Sequence, residues 1–145
     1  MKKQFLTIIV LMLAIGFAKA QSTNDQASVL KKCLDLPAVQ QLYPTDSKGQ
    51  PQPVYIMQHA VSFPNDIPVS KFGQKLVFLT KDDMIESNVE AFILFERFEI
   101  TGNTADVIML FNRNQGNGYE ASEFQLQLSK NSTSWSVVES NAKMR

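Results

Sequence analysis

The sequence has very few of the side chains that usually build reactive or metal-binding sites. It holds one cysteine, Cys33, and one histidine, His59, in 145 residues. A disulfide within the chain is therefore excluded, and these two residues alone cannot complete a tetrahedral zinc site. The sequence also has no nucleophile elbow and no phosphate-binding loop with the usual glycine spacing. We therefore expect no metal and no cofactor.

The chain also lacks an excess of charge of either sign. It carries 14 basic and 14 acidic residues. Lys2, Lys3 and Lys19 precede residue 21, so the remaining chain has 11 basic and 14 acidic residues and a net charge of −3. It contains no basic block or stripe of the kind that gives affinity for phosphate backbones. Nucleic acid is therefore not an expected partner.

The first twenty residues have the three parts of a secretory signal peptide. Lys2 and Lys3 precede an apolar run at residues 5–18, and Ala18-Lys19-Ala20 matches a cleavage site. The apolar run is shorter than the about 20 residues of a membrane span, and no later segment is long and apolar enough to form one. We expect a mature chain that begins at Gln21, is secreted or periplasmic, and has no membrane span after cleavage.

Residues 21–145 have the length of one domain with one core. Apolar residues at helical spacing predict a helix over 28–42, either kinked at Pro37 or divided there into two short helices. Residues 81–88 are polar and predict one helical turn. Asp82 and Asp83 lack the spacing of a calcium loop and are typical of a solvated helix start.

The C-terminal half predicts a meander of about four strands, because apolar and polar residues alternate between short turns. The predicted strands are residues 54–61, 75–80 (at a sheet edge), 89–100 and 105–111, one around 124–128 and one that begins at Trp135. The predicted class is α+β: an N-terminal helix packed on a curved antiparallel sheet of about four to six strands.

The strand predicted at 89–100 is apolar on both faces in its first half. Strict alternation assigns Phe92, Leu94, Phe98 and Ile100 to one face, and Ile93, Phe95, Arg97 and Glu99 to the other. Phe92, Ile93, Leu94 and Phe95 supply more apolar surface than one thin helix covers, so pairing of two copies through an open sheet face is one hypothesis.

His59 and Glu96 are the candidate catalytic residues. If the strand that carries His59 enters a pocket, His59 pairs with a carboxylate such as Glu96 and acts as a general base. The alternative is a surface or structural histidine, which we favour because the sequence places no nucleophile or acid beside it.

Arg97, Arg113 and Tyr119 are the candidate binding residues. Arg97, with Glu96 and Glu99, is one of three charges within an apolar strand. Such a charge either lies on the solvated face or lines a pocket. Arg113 and Tyr119 flank the glycine-rich segment 114–118 of a predicted hairpin loop, where they are placed to contact a partner.

Cys33 has two interpretations. A single cysteine on a helix is most often a small buried residue. The alternative is an intermolecular disulfide or a reactive thiol, because Lys31 and Lys32 lie beside it and would lower its pKa.

Residues 104–111 (TADVIMLF), 124–130 (FQLQLSK) and 135–139 (WSVVE) follow the predicted N-terminal helix. This closing pattern, over about residues 89–140, resembles small exported bacterial proteins of the nuclear transport factor 2-like and cystatin-like superfolds. The resemblance implies a helix followed by a strongly bent sheet. Such folds include enzymes and binding proteins alike, so it implies no single function.

Two functions follow as hypotheses. The first is an exported, non-catalytic binding or interaction module whose protein partner or small ligand is unknown. The alternative is a small pocket enzyme, a hydrolase or isomerase of the nuclear transport factor 2-like kind, that uses His59 and Glu96. The positions of His59 and Glu96 discriminate between the two functions, since the enzyme needs both side chains in one closed cavity.

Overall fold

The computed structural model describes residues 23–145, so the predicted signal peptide lies outside the described residues. Three helices and eight strands follow one another along this part of the chain. The helices are α1 (23–34), α2 (Pro37–Gln40) and α3 (Lys81–Ser87). The strands are β1 (Tyr55–Met57), β2 (Ser70–Lys71), β3 (Gln74–Lys75), β4 (Val77–Leu79), β5 (Ala91–Thr101), β6 (Thr104–Asn114), β7 (Tyr119–Asn131) and β8 (Ser134–Met144). None of the helices within 23–145 is long and apolar enough to cross a membrane.

Six strands form one sheet in the order β4-β1-β5-β6-β7-β8, and β2 and β3 form a separate hairpin. The α+β class and the C-terminal meander are confirmed, since β5 to β8 pair antiparallel in sequence. The prediction of a wholly antiparallel sheet is wrong, because β1 is parallel to both β4 and β5. The chain passes from β4 through α3 into β5, and such a crossover returns it in the same direction on the other side of β1.

The structure divides the helix predicted over 28–42 into α1 and α2, and α1 begins five residues earlier than predicted, at residue 23. Pro37 lies in the first turn of α2, where a missing backbone N–H costs little. The strand predicted at 54–61 is much shorter, since β1 ends at Met57 and His59 lies in a bend beyond it. The turn predicted at 81–88 is α3, which begins with a capping box between Thr80 and Asp83.

One face of the sheet and α1 enclose the main core. The helix contributes Val29, Leu30 and Leu34, and the sheet contributes alternate residues of β5 to β8, including Trp135. Cys33 belongs to the same cluster and is fully buried, so the prediction of a core cysteine is confirmed. Burial strongly raises the pKa of its thiol, which disfavours the reactive thiolate.

The alternation of β5 is interrupted between Phe95 and Arg97, where the register with β6 shifts by one residue. Phe95 is opposite Met109 and Arg97 is opposite Ile108, which leaves Glu96 as the extra residue of a β-bulge. The predicted face assignment is therefore wrong beyond Phe95. Phe98 and Ile100 share the core face with Ile93 and Phe95, whereas Arg97 and Glu99 lie on the opposite face.

Aromatic contacts support this assignment. The ring centroids of Phe95 and Phe98 are 5.5 Å apart, and both rings contact Phe63, at 5.3 and 5.0 Å. All three contacts are edge-to-face, the geometry that aromatic pairs prefer. Phe95 and Phe98 are three positions apart, a spacing that regular alternation would put on opposite faces. The bulge therefore keeps the two phenylalanines in one core cluster.

Asp25 connects α1 to the hairpin of β7 and β8. Its Oδ1 accepts hydrogen bonds from Lys130 Nζ at 2.8 Å and from Trp135 Nε1 at 3.0 Å. Burial alone would raise the pKa of this carboxyl, but the bonds from Lys130 and Trp135 outweigh burial and lower the pKa. Asp35, at the other end of the helix, accepts from Lys71 Nζ at 2.6 Å. Two carboxylates thus hold the two ends of α1 in place.

We expect Asp25→Ala to lower the free energy of unfolding by about 1–3 kcal/mol, because it leaves the buried indole N–H of Trp135 without its acceptor. Since the pKa of Asp25 is lowered in the folded protein, its charged form stabilises the fold above its ordinary pKa. That contribution is lost as the pH falls below about 4, so the difference between the two proteins should shrink there. Urea unfolding at neutral and acidic pH measures both effects.

Asp66→Ala is the matched control, because Asp66 is exposed and has no hydrogen bond within the described part of the chain. Equal stability losses for the two variants would contradict a specific role of Asp25.

Candidate functional site

The face of the sheet opposite α1 is covered only in part. At one end, α3 packs Met84 against Val89 and Phe92 in a second, smaller hydrophobic cluster. Over the rest of β5 to β8, no helix of residues 23–145 contributes to a cluster on this face, and its side chains are mainly polar. We call this part the open face. It consists of Glu96, Arg97, Glu99, Asp106, Ile108, Glu123, Gln125, Gln127, Glu139, Asn141 and Lys143.

The smaller cluster covers part of the apolar surface on which the homodimer hypothesis rests. Phe92 is buried beneath α3 and Leu94 is half-buried beside it. Ile93 and Phe95 point to the opposite side and are buried in the main core. Little of this apolar surface is left for a second copy of the chain.

An arginine joins two carboxylates across the open face. Arg145 Nη1 and Nη2 donate to the two carboxylate oxygens of Glu96, at 2.8 and 2.9 Å, in a bidentate pair. Its Nε donates to Oε2 of Glu123. We call these three residues the carboxylate–arginine bridge. It connects β7 to the bulge of β5 over the intervening β6.

Glu123 is the only buried charged residue within 23–145, with 1% of its surface exposed. Its carboxylate accepts from Gln125 Nε2 at 2.6 Å, and Lys143 Nζ lies 3.3 Å from it. The hydrogen bond from Gln125 is the largest influence and lowers the pKa of Glu123. Burial opposes this effect, and Lys143 and Arg145 lower the pKa further. Glu123 is thus held as an anion.

The structure does not place His59 and Glu96 in one closed cavity. Both side chains are exposed, and no hydrogen bond joins them within the described residues. Glu96 is already paired with both terminal nitrogens of Arg145. The geometry therefore gives no support to a pair that transfers protons.

Arg97 lies on the open face, in a shallow hollow of about 260 Å³ that extends across four strands. We call it the polar hollow. The side chains that line it are Arg97, Asp106, Ile108, Gln125, Gln127, Glu139 and Asn141. In the described part of the chain, Arg97 forms no ion pair, and neither does Asp106 or Glu139. The hollow thus has unpaired charges of both signs.

Tyr119 lies beside a different hollow, next to α3. Its hydroxyl donates to the carbonyl oxygen of Val89 at 2.9 Å, and its ring meets the ring of Phe92 edge-to-face at 5.0 Å. This space of about 360 Å³ we call the apolar hollow. It is lined by Met57, Lys81, Met84, Ile85, Asn88, Phe92 and Tyr119.

Arg113 is separated from the other two candidate binding residues. It pairs with Glu90 at 3.5 Å and lines a smaller hollow near Leu42 and Phe111. In the register of β6 and β7, Asn114 is opposite Tyr119, so Arg113 and Tyr119 fall on opposite faces. The structure therefore does not bring Arg97, Arg113 and Tyr119 into one site.

Sequence reasoning missed the carboxylate–arginine bridge. Alternation in β7 assigns Glu123 to a solvated face, which is wrong because residues far along the chain cover it. The register places Glu123 opposite Lys143, and a basic pair at 143 and 145 is the signal that could have indicated a buried partner. In residues 23–145 no group of three or more histidine, cysteine or acidic side chains is arranged to hold a metal ion.

We expect Glu123→Gln to loosen the end of β8, because it removes the charge that holds Arg145 and Lys143. The backbone N–H of Arg145 donates to the carbonyl oxygen of Ala121 at 2.9 Å, so its amide reports on this end of the strand. Hydrogen exchange over residues 141–145 should accelerate by roughly tenfold. Glu120→Gln, at an exposed residue of the same strand, should leave the exchange unchanged. Unaltered protection in Glu123→Gln would show that the bridge does not hold β8.

Comparison with known proteins found no family model, no curated protein and no solved structure that matches this chain. The resemblance to the nuclear transport factor 2-like and cystatin-like superfolds therefore stays a prediction.

Proposed function

We propose that this chain is an exported, non-catalytic binding module that takes a small zwitterionic ligand in the polar hollow. One observation carries this proposal. Arg97, Asp106 and Glu139 line the same hollow, yet no ion pair joins any of them within the described residues. Opposite charges that face one space without neutralising each other are free to bind complementary charges of a ligand.

The chemistry of the lining defines the ligand class. The planar fork of the Arg97 guanidinium suits a carboxylate, which it binds with two parallel hydrogen bonds. Asp106 and Glu139 accept hydrogen bonds from an ammonium group. Gln125 and Gln127 supply an amide donor and an amide acceptor each. A molecule with a carboxylate and an ammonium group satisfies both sides of the hollow.

The size of the hollow favours a small ligand. Its volume is about 260 Å³. Typical sites for drug-sized ligands have volumes of about 300–1,000 Å³, so this hollow lies just below that range. Free amino acids are the class of zwitterion that fits this scale. The open face is also shallow, which suits reversible binding better than chemistry that must exclude water.

We prefer binding to catalysis because the two candidate catalytic residues do not meet in a cavity. Glu96 pairs with Arg145, and His59 is exposed beyond the end of β1. No observation specifically favours the pocket enzyme, so it is not proposed as a second function. The predicted signal peptide supports a secreted or periplasmic location.

The test is a titration of the mature protein, whose first residue we expect to be Gln21, with a panel of free amino acids. Amide NMR spectra should show shifts that concentrate on Arg97, Asp106 and Gln125. Propionate and propylamine, which carry one charge each, should bind more weakly than alanine. Arg97→Gln should weaken binding by about tenfold, because it removes a charged hydrogen-bonding partner.

Arg113→Gln is the matched control, since Arg113 is an exposed arginine outside the polar hollow. It should bind the same amino acids as the unmodified chain does. The proposal fails if no amino acid produces shifts at the hollow, or if Arg97→Gln binds as tightly as Arg113→Gln.

A further inference from the structure

Two exposed large apolar side chains line the apolar hollow beside α3. Ile85 is 70% exposed and Tyr119 is 44% exposed. Both line the same space as Met57 and Phe92. Single exposed apolar residues are common on protein surfaces, but several that surround one concave space indicate a binding site.

Covering the sheet does not require α3 to carry an exposed apolar side chain at Ile85. Met84 alone points inward from the middle of this helix and is buried against Phe92. Ile85, the next residue, is rotated by about 100° around the helix and faces the hollow. A helix that only covered the sheet would carry a polar residue there.

The walls of the apolar hollow are fixed before any ligand binds. The capping box of Thr80 and Asp83 holds the start of α3, with Thr80 N donating to Asp83 Oδ2 at 3.1 Å. The hydrogen bond to the Val89 carbonyl and the edge contact with Phe92 fix the ring of Tyr119. A pre-formed wall reduces the entropy lost on binding.

One charge lies at the rim. Lys81 is the only charged side chain that lines the hollow, and it forms no ion pair within residues 23–145. Asp82, Asp83 and Glu86 lie on the same helix but do not line the space, and Asp83 is engaged by Thr80. Asn88 adds an uncharged amide. The ligand that fits has an apolar body and one anionic group.

We propose that the apolar hollow is a second binding site, for a free single-chain alkyl carboxylate. The alkyl chain of the ligand packs among Met57, Met84, Ile85 and Phe92, and its carboxylate pairs with Lys81. A volume of about 360 Å³ falls within the range of small-molecule sites. Thioether and aromatic side chains adapt well to a flexible alkyl chain. This site is separate from the polar hollow and does not depend on the zwitterion proposal.

The test measures the affinities of hexanoate, octanoate and decanoate for the mature protein by calorimetry, at concentrations below micelle formation. Affinity should increase by about fourfold for each methylene that becomes buried, until the hollow is full. Nonyltrimethylammonium has the same nine-carbon alkyl chain as decanoate and a head group of the opposite charge. It should bind more weakly by about threefold to tenfold.

Two variants measure separately what the alkyl chain and the head group of the ligand contribute to binding. Ile85→Gln should weaken decanoate binding, and Lys81→Met should remove the preference for decanoate over nonyltrimethylammonium. Val138→Gln is the control, because Val138 is 64% exposed on β8 and does not line the hollow. It should leave both affinities unchanged.

Three results would overturn the proposal. Equal binding of the two head groups would remove the role of Lys81. Equal losses in Ile85→Gln and Val138→Gln would show non-specific adsorption. Binding to vesicles of phosphatidylglycerol without binding of free decanoate would identify a membrane surface as the occupant instead of a free carboxylate.

Discussion

The β-bulge at Glu96 determines which side chains of β5 face the core and which face the open side. One extra residue reverses the alternation, so that Phe98 joins Phe95 in the core and Arg97 turns outward. Without this reversal, an arginine would be buried among aromatic rings and a phenylalanine would be exposed, at a large cost in free energy. The bulge therefore places the Arg97 side chain on the open face, where it lines the polar hollow.

The two faces of the sheet are stabilised in different ways. On the core side, apolar burial beneath α1 supplies most of the stabilisation, and Asp25 fixes the helix by charged hydrogen bonds. On the open side, α3 covers only the end near β1, and Arg145 holds β7 and β5 together by pairing with Glu123 and Glu96. Both proposed sites lie on this side of the sheet, next to the residues that α3 and Arg145 cover. The polar hollow lies beyond the bridge, and the apolar hollow lies at the edge of α3.

Some of this architecture could be predicted from sequence. The alternation of β6 and β7 is regular, and Pro37 and Cys33 have strong local preferences, so these predictions hold. The bulge could not be predicted, because alternation assumes that no residue is inserted. The direction of β1 depends on its neighbours, which a short apolar run does not specify. Glu123 is buried by Arg145, 22 residues away in the sequence, and only the strand register brings them together.

Nuclear Overhauser contacts around Glu96 distinguish a bulged β5 from an uninterrupted strand. We expect contacts of the Phe98 ring with the rings of Phe95 and Phe63, and contacts of the Arg97 side chain with Ile108 and Gln125. Contacts of the Arg97 side chain with Phe95 and Phe63, together with a Phe98 ring near Asp106, would show an uninterrupted strand. That result would contradict both the face assignment and the polar hollow built on it.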